Sequence, residues 1–369
     1  MVQAGPGALP GACGSGFNVA GGEPKADAHV ILGPESGMTT ASKPSLTQVQ
    51  AFRLIEPELK DVEVRLKTEA ISSLRLVDEL NQYLHEAGGK RLRPGLLLLA
   101  SKLSGAPRES AVRLGVVVEL IHVATLVHDD IIDNSNIRRG RASINAKWGN
   151  EVTVLFGDWL YMTAFWVALK EQNFRILDIL IDITRKMVEG ELLQLERNHR
   201  LDTTSDEYLR ICWHKTAHLF SGCGRLAAIL GRLEPASEES LAEFGEALGM
   251  AFQLTDDLLD FTSDPSVLGK PVLKDLEEGN VTLPIISLMQ RVEPEERNML
   301  AGIVRERDFS ADNKSRILEL VGRYETLEDL RSLARRYAEQ ARRALDTLPD
   351  SVYRDALLAL PDLVLNRDR

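Results

Sequence analysis

Leu114-Gly115-Val116-Val117-Val118-Glu119-Leu120-Ile121-His122-Val123-Ala124-Thr125-Leu126-Val127-His128-Asp129-Asp130-Ile131-Ile132-Asp133 reads as a helix interior: an apolar run, broken by Glu119 and His122, leads straight into an Asp-Asp-x-x-Asp cluster. The cluster recurs in the second half of the chain as Asp256-Asp257-Leu258-Leu259-Asp260, behind the apolar stretch Leu248 to Leu254. On a helix the first and fifth positions share a face, so Asp129 with Asp133, and Asp256 with Asp260, each aim two carboxylates at one point. Like charges held that close in an apolar setting are costly unless a cation lies between them. All-oxygen donors favour magnesium, calcium or manganese over zinc, and magnesium is usually shared between a few carboxylates and the phosphates of a substrate. The apolar flanks argue against a solvated acidic stripe.

Outward from these clusters, apolar residues recur at three- and four-residue spacing from Val49 onward, as in Ile55, Leu59, Val62, Leu66, then Ile71 and Leu74. That period describes amphipathic helices, and no regular strand alternation appears. Breaks fall at Gly88-Gly89, Arg93-Pro94, Gly105-Ala106-Pro107, Arg139-Gly140, Gly231 to Pro235, Ser263 to Gly279 and Glu293-Pro294. The expected architecture is all-α, a single large helical bundle over residues 48–369. Residues 1–47, rich in Gly, Ala, Pro, Ser and Thr, read as a disordered low-complexity tail.

Composition narrows the partners. A net charge of −11 on 369 residues argues against a general nucleic-acid binder. Cys13, Cys212 and Cys223 are too few and scattered for a disulfide framework, which points to a reducing cytoplasm. No apolar window is continuous enough to read as a transmembrane segment, and the first residues carry no targeting pattern. Near the C-terminus Arg331, Arg335, Arg336, Arg342 and Arg343 read as the solvated face of a helix.

Two basic clusters complement the acidic ones. Gly88-Gly89-Lys90-Arg91-Leu92-Arg93-Pro94 brings three cations to a helix boundary, suited to a diphosphate. Arg138-Arg139-Gly140-Arg141 follows closely on the first acidic cluster. His122, Lys215-Thr216 and Gln253 stand among apolar neighbours, and Lys270 lies in the loop after the second cluster.

Assembled in order, Gly-Lys-x-x-x-Pro at Gly89 to Pro94, His-Asp-Asp-x-x-Asp at His128 to Asp133 followed by Arg138-Arg139-Gly140, Lys215-Thr216, and Gln253-x-x-Asp-Asp-x-x-Asp resemble the trans-isoprenyl diphosphate synthases, specifically the long-chain polyprenyl group that makes quinone side chains. The resemblance spans roughly residues 50–365. It implies a helical fold around a deep central cavity (the isoprenoid synthase fold), a homodimer, and about three magnesium ions bridging an allylic diphosphate to both acidic motifs. It assigns isopentenyl diphosphate to Lys90, Arg93, His122 and Arg139, and the allylic diphosphate to Arg138, Lys215, Gln253 and Lys270. Asp129, Asp133 and Asp256 would be direct metal ligands, with Asp130, Asp257 and Asp260 supporting ligands or water from behind. Thr216 and the Lys215 backbone would face the forming cation. Asn280 departs from the pattern, since many relatives carry a lysine there.

The implied reaction adds five-carbon units to farnesyl or geranylgeranyl diphosphate. The growing chain should run along the helix of the first motif past Thr125, Ala124 and Ile121. A bulky aromatic at Ala124 or Thr125 would stop growth early; both residues are small, so products beyond about twenty carbons are expected, with Ala124→Phe shortening them. Three rivals remain: a catalytic or non-catalytic subunit of a heteromeric synthase, a shorter-chain geranylgeranyl diphosphate synthase, and a terpene cyclase, which has no use for Lys90 and Arg93. Product hand-over by peripheral contact with a membrane is left open.

Overall fold

The computed structural model describes residues 47–86, 88–138, 140–262 and 272–367, all within the compact unit Ser42–Arg369. Apart from Thr47, the tail reading of residues 1–47 therefore lies outside the described residues. Thr47 opens α1 (Gln48–Arg53): its hydroxyl accepts from the Gln50 N–H while the Gln50 side chain accepts from the Thr47 N–H. Two donors at the helix start are thereby met reciprocally. In α2 (Glu56–Glu69), Val62 and Leu66 are buried as expected. Ile71 and Leu74, in the link to α3 (Arg75–Glu86), are instead 65 % and 63 % exposed. There the Ser72 and Leu74 N–H groups donate to the Asp78 and Ser72 side chains, and these local bonds displace the helix.

Helix α4 (Leu92–Ser104) begins after Arg91, which holds a left-handed φ of 50°. The break expected at Arg93-Pro94 thus falls earlier, and Pro94 sits in the first turn, where its missing N–H costs nothing. The run Leu96 to Ala100 is at most 1 % exposed, so truncating any of its leucines should cost about 2–5 kcal/mol. Helix α5 (Arg108–Ile132) carries the first acidic cluster at its C-terminal end. A two-residue hairpin, β1 (Ile137–Arg138) and β2 (Arg141–Ala142), forms the only sheet among the described residues. Then follow α6 (Ile144–Trp148), α7 (Asn150–Leu169), α8 (Phe174–Arg197), α9 (Ser205–Cys212), a π-helical turn Trp213–Ala217, α10 (His218–Leu230) and α11 (Pro235–Thr262), which bears the second cluster. The rest comprises α12 (Lys274–Glu278), α13 (Leu283–Arg291), α14 (Pro294–Glu306), α15 (Ala311–Arg323), α16 (Thr326–Ala344), α17 (Val352–Leu358) and α18 (Leu360–Leu365).

The protein is all-α. Helix α11 packs between α10 and α16, α10 packs on α4, and α4 and α7 flank α5. Arg331, Arg335, Arg342 and Arg343 of α16 meet Glu328, Glu339 and Asp362 at the surface, a solvated charged face. By length and composition α5 and α7 pass as membrane spans, but 67 % of the apolar window of α5 and 44 % of that of α7 are buried inside the protein. Packing accounts for the hydropathy of α5, whose last turn also carries two carboxylates, with a third at its C-cap.

Candidate active site

The last turns of α5 put Asp129 and Asp133 one above the other on the wall of a cavity of about 480 Å³, with His122 and Thr125 deeper along the same helix. Across the cavity stand Lys215 and Thr216 of the π turn and Gln253, Asp256 and Asp257 of α11. Ala124 is fully buried in the core beside this wall. Burial, with Glu191 and Asp133 adding like charge against the pull of Lys215, pushes Asp129 up to about 7. Burial and the nearby Glu278 push Asp133 to about 6. Both carboxylates are thus held in a state that a nearby cation would relieve.

The remaining acids of the clusters are already engaged. Arg138 donates to Asp130 at 2.7 Å. Asp257 accepts from the Tyr208 hydroxyl and, at 2.8 Å, from the Gln253 amide; burial nevertheless raises it to about 7. Asp260 accepts from the Lys274 N–H at 3.0 Å and the Asp275 N–H at 3.4 Å, which ties α12 to the second cluster. Asp256 is more than half exposed and pairs with Arg367 at 3.2 Å.

Lys215 reaches the cavity because α8 and the π turn approach closely at Gly190, where a Cβ would lie 2.9 Å from the Lys215 side chain. Its ammonium meets Glu191 at 2.5 Å and the Gln194 carbonyl at 2.7 Å. Burial works against that charge, but Glu191 and Asp129 outweigh it and the pKa is raised. One residue on, the Thr216 hydroxyl donates to the Gln253 carbonyl at 2.7 Å. A π turn is a rare insertion that often marks a functional site; here it is what brings Lys215 and Thr216 to adjacent parts of one wall.

Of the three cations around the start of α4, the structure separates the settings. Arg91 is committed to Glu119 at 2.6 Å and to Glu63, a structural bridge. Arg93 lines the cavity, stacked 4.9 Å from the Phe220 ring, with an enclosed Nε that has no hydrogen-bond partner, and burial lowers its pKa. A guanidinium at a cavity wall, short of one hydrogen-bond partner, suits an anion. Lys90 is exposed, ahead of α4. Arg139 and Lys270 lie outside the described residues.

Among the described residues no three His, Cys, Asp or Glu side chains converge closely enough to hold a metal by themselves. A hard cation here would have two neighbouring carboxylates on α5 and further oxygens from water or a diphosphate, the sharing magnesium commonly shows. The donor chemistry therefore fits such an ion. Sequence reasoning passed over Glu191, Gln194, Tyr208 and Arg367. A carboxylate and an amide one turn apart directly after Gly190 could have flagged the first two; Tyr208 and Arg367 gave no local signal.

The polyprenyl synthetase family model matches residues 74–321. The octaprenyl diphosphate synthase of Escherichia coli is 35 % identical over 316 residues, covering 86 % of this chain and 98 % of the relative. The all-trans-nonaprenyl-diphosphate synthase (geranyl-diphosphate specific) of Rhodobacter capsulatus is 40 % identical over 301 residues, covering 81 % and 92 %. A crystal structure of polyprenyl synthase from Caulobacter crescentus, complexed with calcium and isoprenyl diphosphate, superposes with a TM-score of 0.84 at 34 % identity, covering 89 % of this chain and all of that one.

Proposed function

Because the chain belongs to the polyprenyl synthetase family, with the isoprenoid synthase fold, we propose that it is a long-chain trans-polyprenyl diphosphate synthase. It is a prenyltransferase that condenses isopentenyl diphosphate onto farnesyl or geranylgeranyl diphosphate, in the service of quinone side chains. The observation that carries this reading is the convergence on one cavity of Asp129 and Asp133, Lys215, Asp256 and Arg93. Magnesium, about three ions per site, would be held by Asp129, Asp133 and Asp256 and by substrate oxygens; it supplies Lewis-acid stabilisation of the departing diphosphate.

The chain's own residues do the rest. Lys215 and Arg138, with Gln253 and Lys270, orient the allylic diphosphate and neutralise its charge. Arg93, His122, Lys90 and Arg139 take isopentenyl diphosphate. Thr216 and the Lys215 backbone carbonyl face the reacting carbon with lone pairs. Asp130, Asp257 and Asp260 hold the two motifs in place through Arg138, Tyr208 and the start of α12. Apolar neighbours such as Leu126, Met187 and Phe252 keep water from the cation. The small side chains of Thr125 and Ala124 support products beyond about twenty carbons.

A homodimer is supported by two exposed apolar stripes of matching spacing, Leu155, Met162, Trp166 and Leu169 on α7 and Ile181, Val188, Leu192 and Leu195 on α8. We place the enzyme in the cytoplasm, in keeping with the free thiols of Cys212 and Cys223, as one catalytic domain over residues 48–369. Incubating the purified chain with magnesium, isopentenyl diphosphate and farnesyl or geranylgeranyl diphosphate, then resolving the dephosphorylated products, tests the reading. A ladder ending beyond about twenty carbons is expected; a folded chain that elongates nothing overturns it.

A further inference from the structure

Asn280 stands where the sequence pattern leads one to expect a cation, and its surroundings give it a different task. Its side-chain carbonyl accepts a hydrogen bond from the Gln194 amide at 2.6 Å. The carbonyl of that same Gln194 accepts from the Lys215 ammonium at 2.7 Å, while Glu191 meets the ammonium at 2.5 Å. Gln194 thus spends its donor end on Asn280 and its acceptor end on Lys215, so the two ends fix one another's direction.

Asn280 is itself held from two sides. Its N–H donates to the Asp275 carbonyl at 2.7 Å, and the preceding Gly279 accepts from the His199 N–H at 2.8 Å. Gly279 has φ 104°, and a Cβ there would lie 2.6 Å from the His199 ring, so this loop sits directly on the end of α8. The amide ladder therefore joins the loop after the second acidic cluster, α8 and the π turn through three side chains.

We propose that Gln194 and Asn280 are positioning residues that, with Glu191, hold the Lys215 ammonium at the cavity wall ready for an allylic diphosphate. This rests on the prenyl-transfer reading and adds to it the way the site works with an amide at position 280. A lysine at 280 has donors only. It would draw the Gln194 oxygen to itself and away from Lys215, so an asparagine gives up a second cation and fixes the first.

The test is calorimetric binding of farnesyl thiodiphosphate, a slowly reacting allylic analogue, and separately of isopentenyl diphosphate, both with magnesium. Asn280→Ala is expected to weaken the allylic analogue about fivefold to tenfold, the scale of one neutral hydrogen bond, and to leave isopentenyl diphosphate binding unchanged. Gln194→Ala, a change on a different helix, should give the same loss, and the double variant no more than either alone. In a Lys215→Ala background Asn280→Ala should have no further effect. Additive losses, an equal loss on both ligands, or a full effect of Asn280→Ala without Lys215 would each overturn the proposal. Wild-type protein that binds no allylic analogue would instead bring down the prenyl-transfer reading, and this inference with it.

Discussion

The two acidic clusters have the same Asp-Asp-x-x-Asp pattern and opposite circumstances. On α5, Asp129 and Asp133 face the cavity with pKa values raised to about 7 and about 6, and the nearest cation, Lys215, is itself engaged by Glu191. On α11, Asp257 is enclosed by Tyr208 and Gln253, Asp260 is bound by two backbone N–H groups, and only Asp256 looks out to solvent. The first cluster is arranged to receive charge, whereas most of the second builds the wall that the first one faces. A repeated motif therefore need not mean a repeated role, because the environment decides which carboxylates have spare lone pairs.

The sharpest way to break that contrast is to remove one carboxylate from each side. Asp129→Ala should lower elongation by about 10³-fold or more, since it takes away a group that stabilises charge developing in the reaction. Asp256→Ala, at a more solvated position, should cost about 10²-fold. Single-turnover elongation with a labelled allylic primer measures both. Near-normal product from Asp129→Ala would be fatal to the metal-dependent reading, and a larger loss at Asp256 would reverse the assignment of roles.

The next effect is on stability. Tyr208→Phe deletes the hydroxyl that donates to buried Asp257, and an acceptor left without its donor costs about 1–3 kcal/mol. Thermal unfolding should move down by about 1–5 °C, at about 1.5 °C per kcal/mol for a chain of this size, while elongation falls by less than about tenfold. If activity collapsed with the melting point unmoved, Asp257 would belong to the reacting group and the second cluster would be no scaffold.

Much of this was legible in the sequence. Period and apolar flanks sufficed for the all-α architecture and for both motif helices, because burial of one face is written locally. What was lost lies where tertiary contact overrides local pattern. Ile71 and Leu74 keep a helical spacing yet sit in a link, since the Asp78 and Ser72 side chains offer the backbone there another partner. The π turn at Trp213–Ala217 has no signature in composition, and it exists only against α8 and α11. Arg91 and Arg93 look equivalent as letters; the αL residue at the start of α4 turns one toward Glu119 and the other toward the cavity. Partners far along the chain, Tyr208 for Asp257 or Arg367 for Asp256, could not be matched without the fold.

The smallest expected effect distinguishes the clusters by pH. In metal-free protein Asp129 titrates near 7 instead of 3.8, so between those values the folded chain binds a proton that the unfolded chain has released. Stability from this group is therefore greatest at low pH and declines as pH rises through that window, levelling off by about pH 8. Asp133 acts with the same sign up to about 6, and so does Asp257 up to about 7. Buried His214 and half-buried His218, whose pKa values burial lowers, push the other way. They cancel in the difference between wild type and Asp129→Asn, which should show the wild type losing ground steadily from pH 5 to 7.5 in denaturant titrations with a chelator present. Added magnesium should remove the share of Asp129 and Asp133, since a bound cation favours their charged forms, and leave that of Asp257, whose oxygens are both taken. A wild-type minus Asp129→Asn difference that is flat without metal would mean that Asp129 already has its counter-charge, and the two clusters would be alike after all.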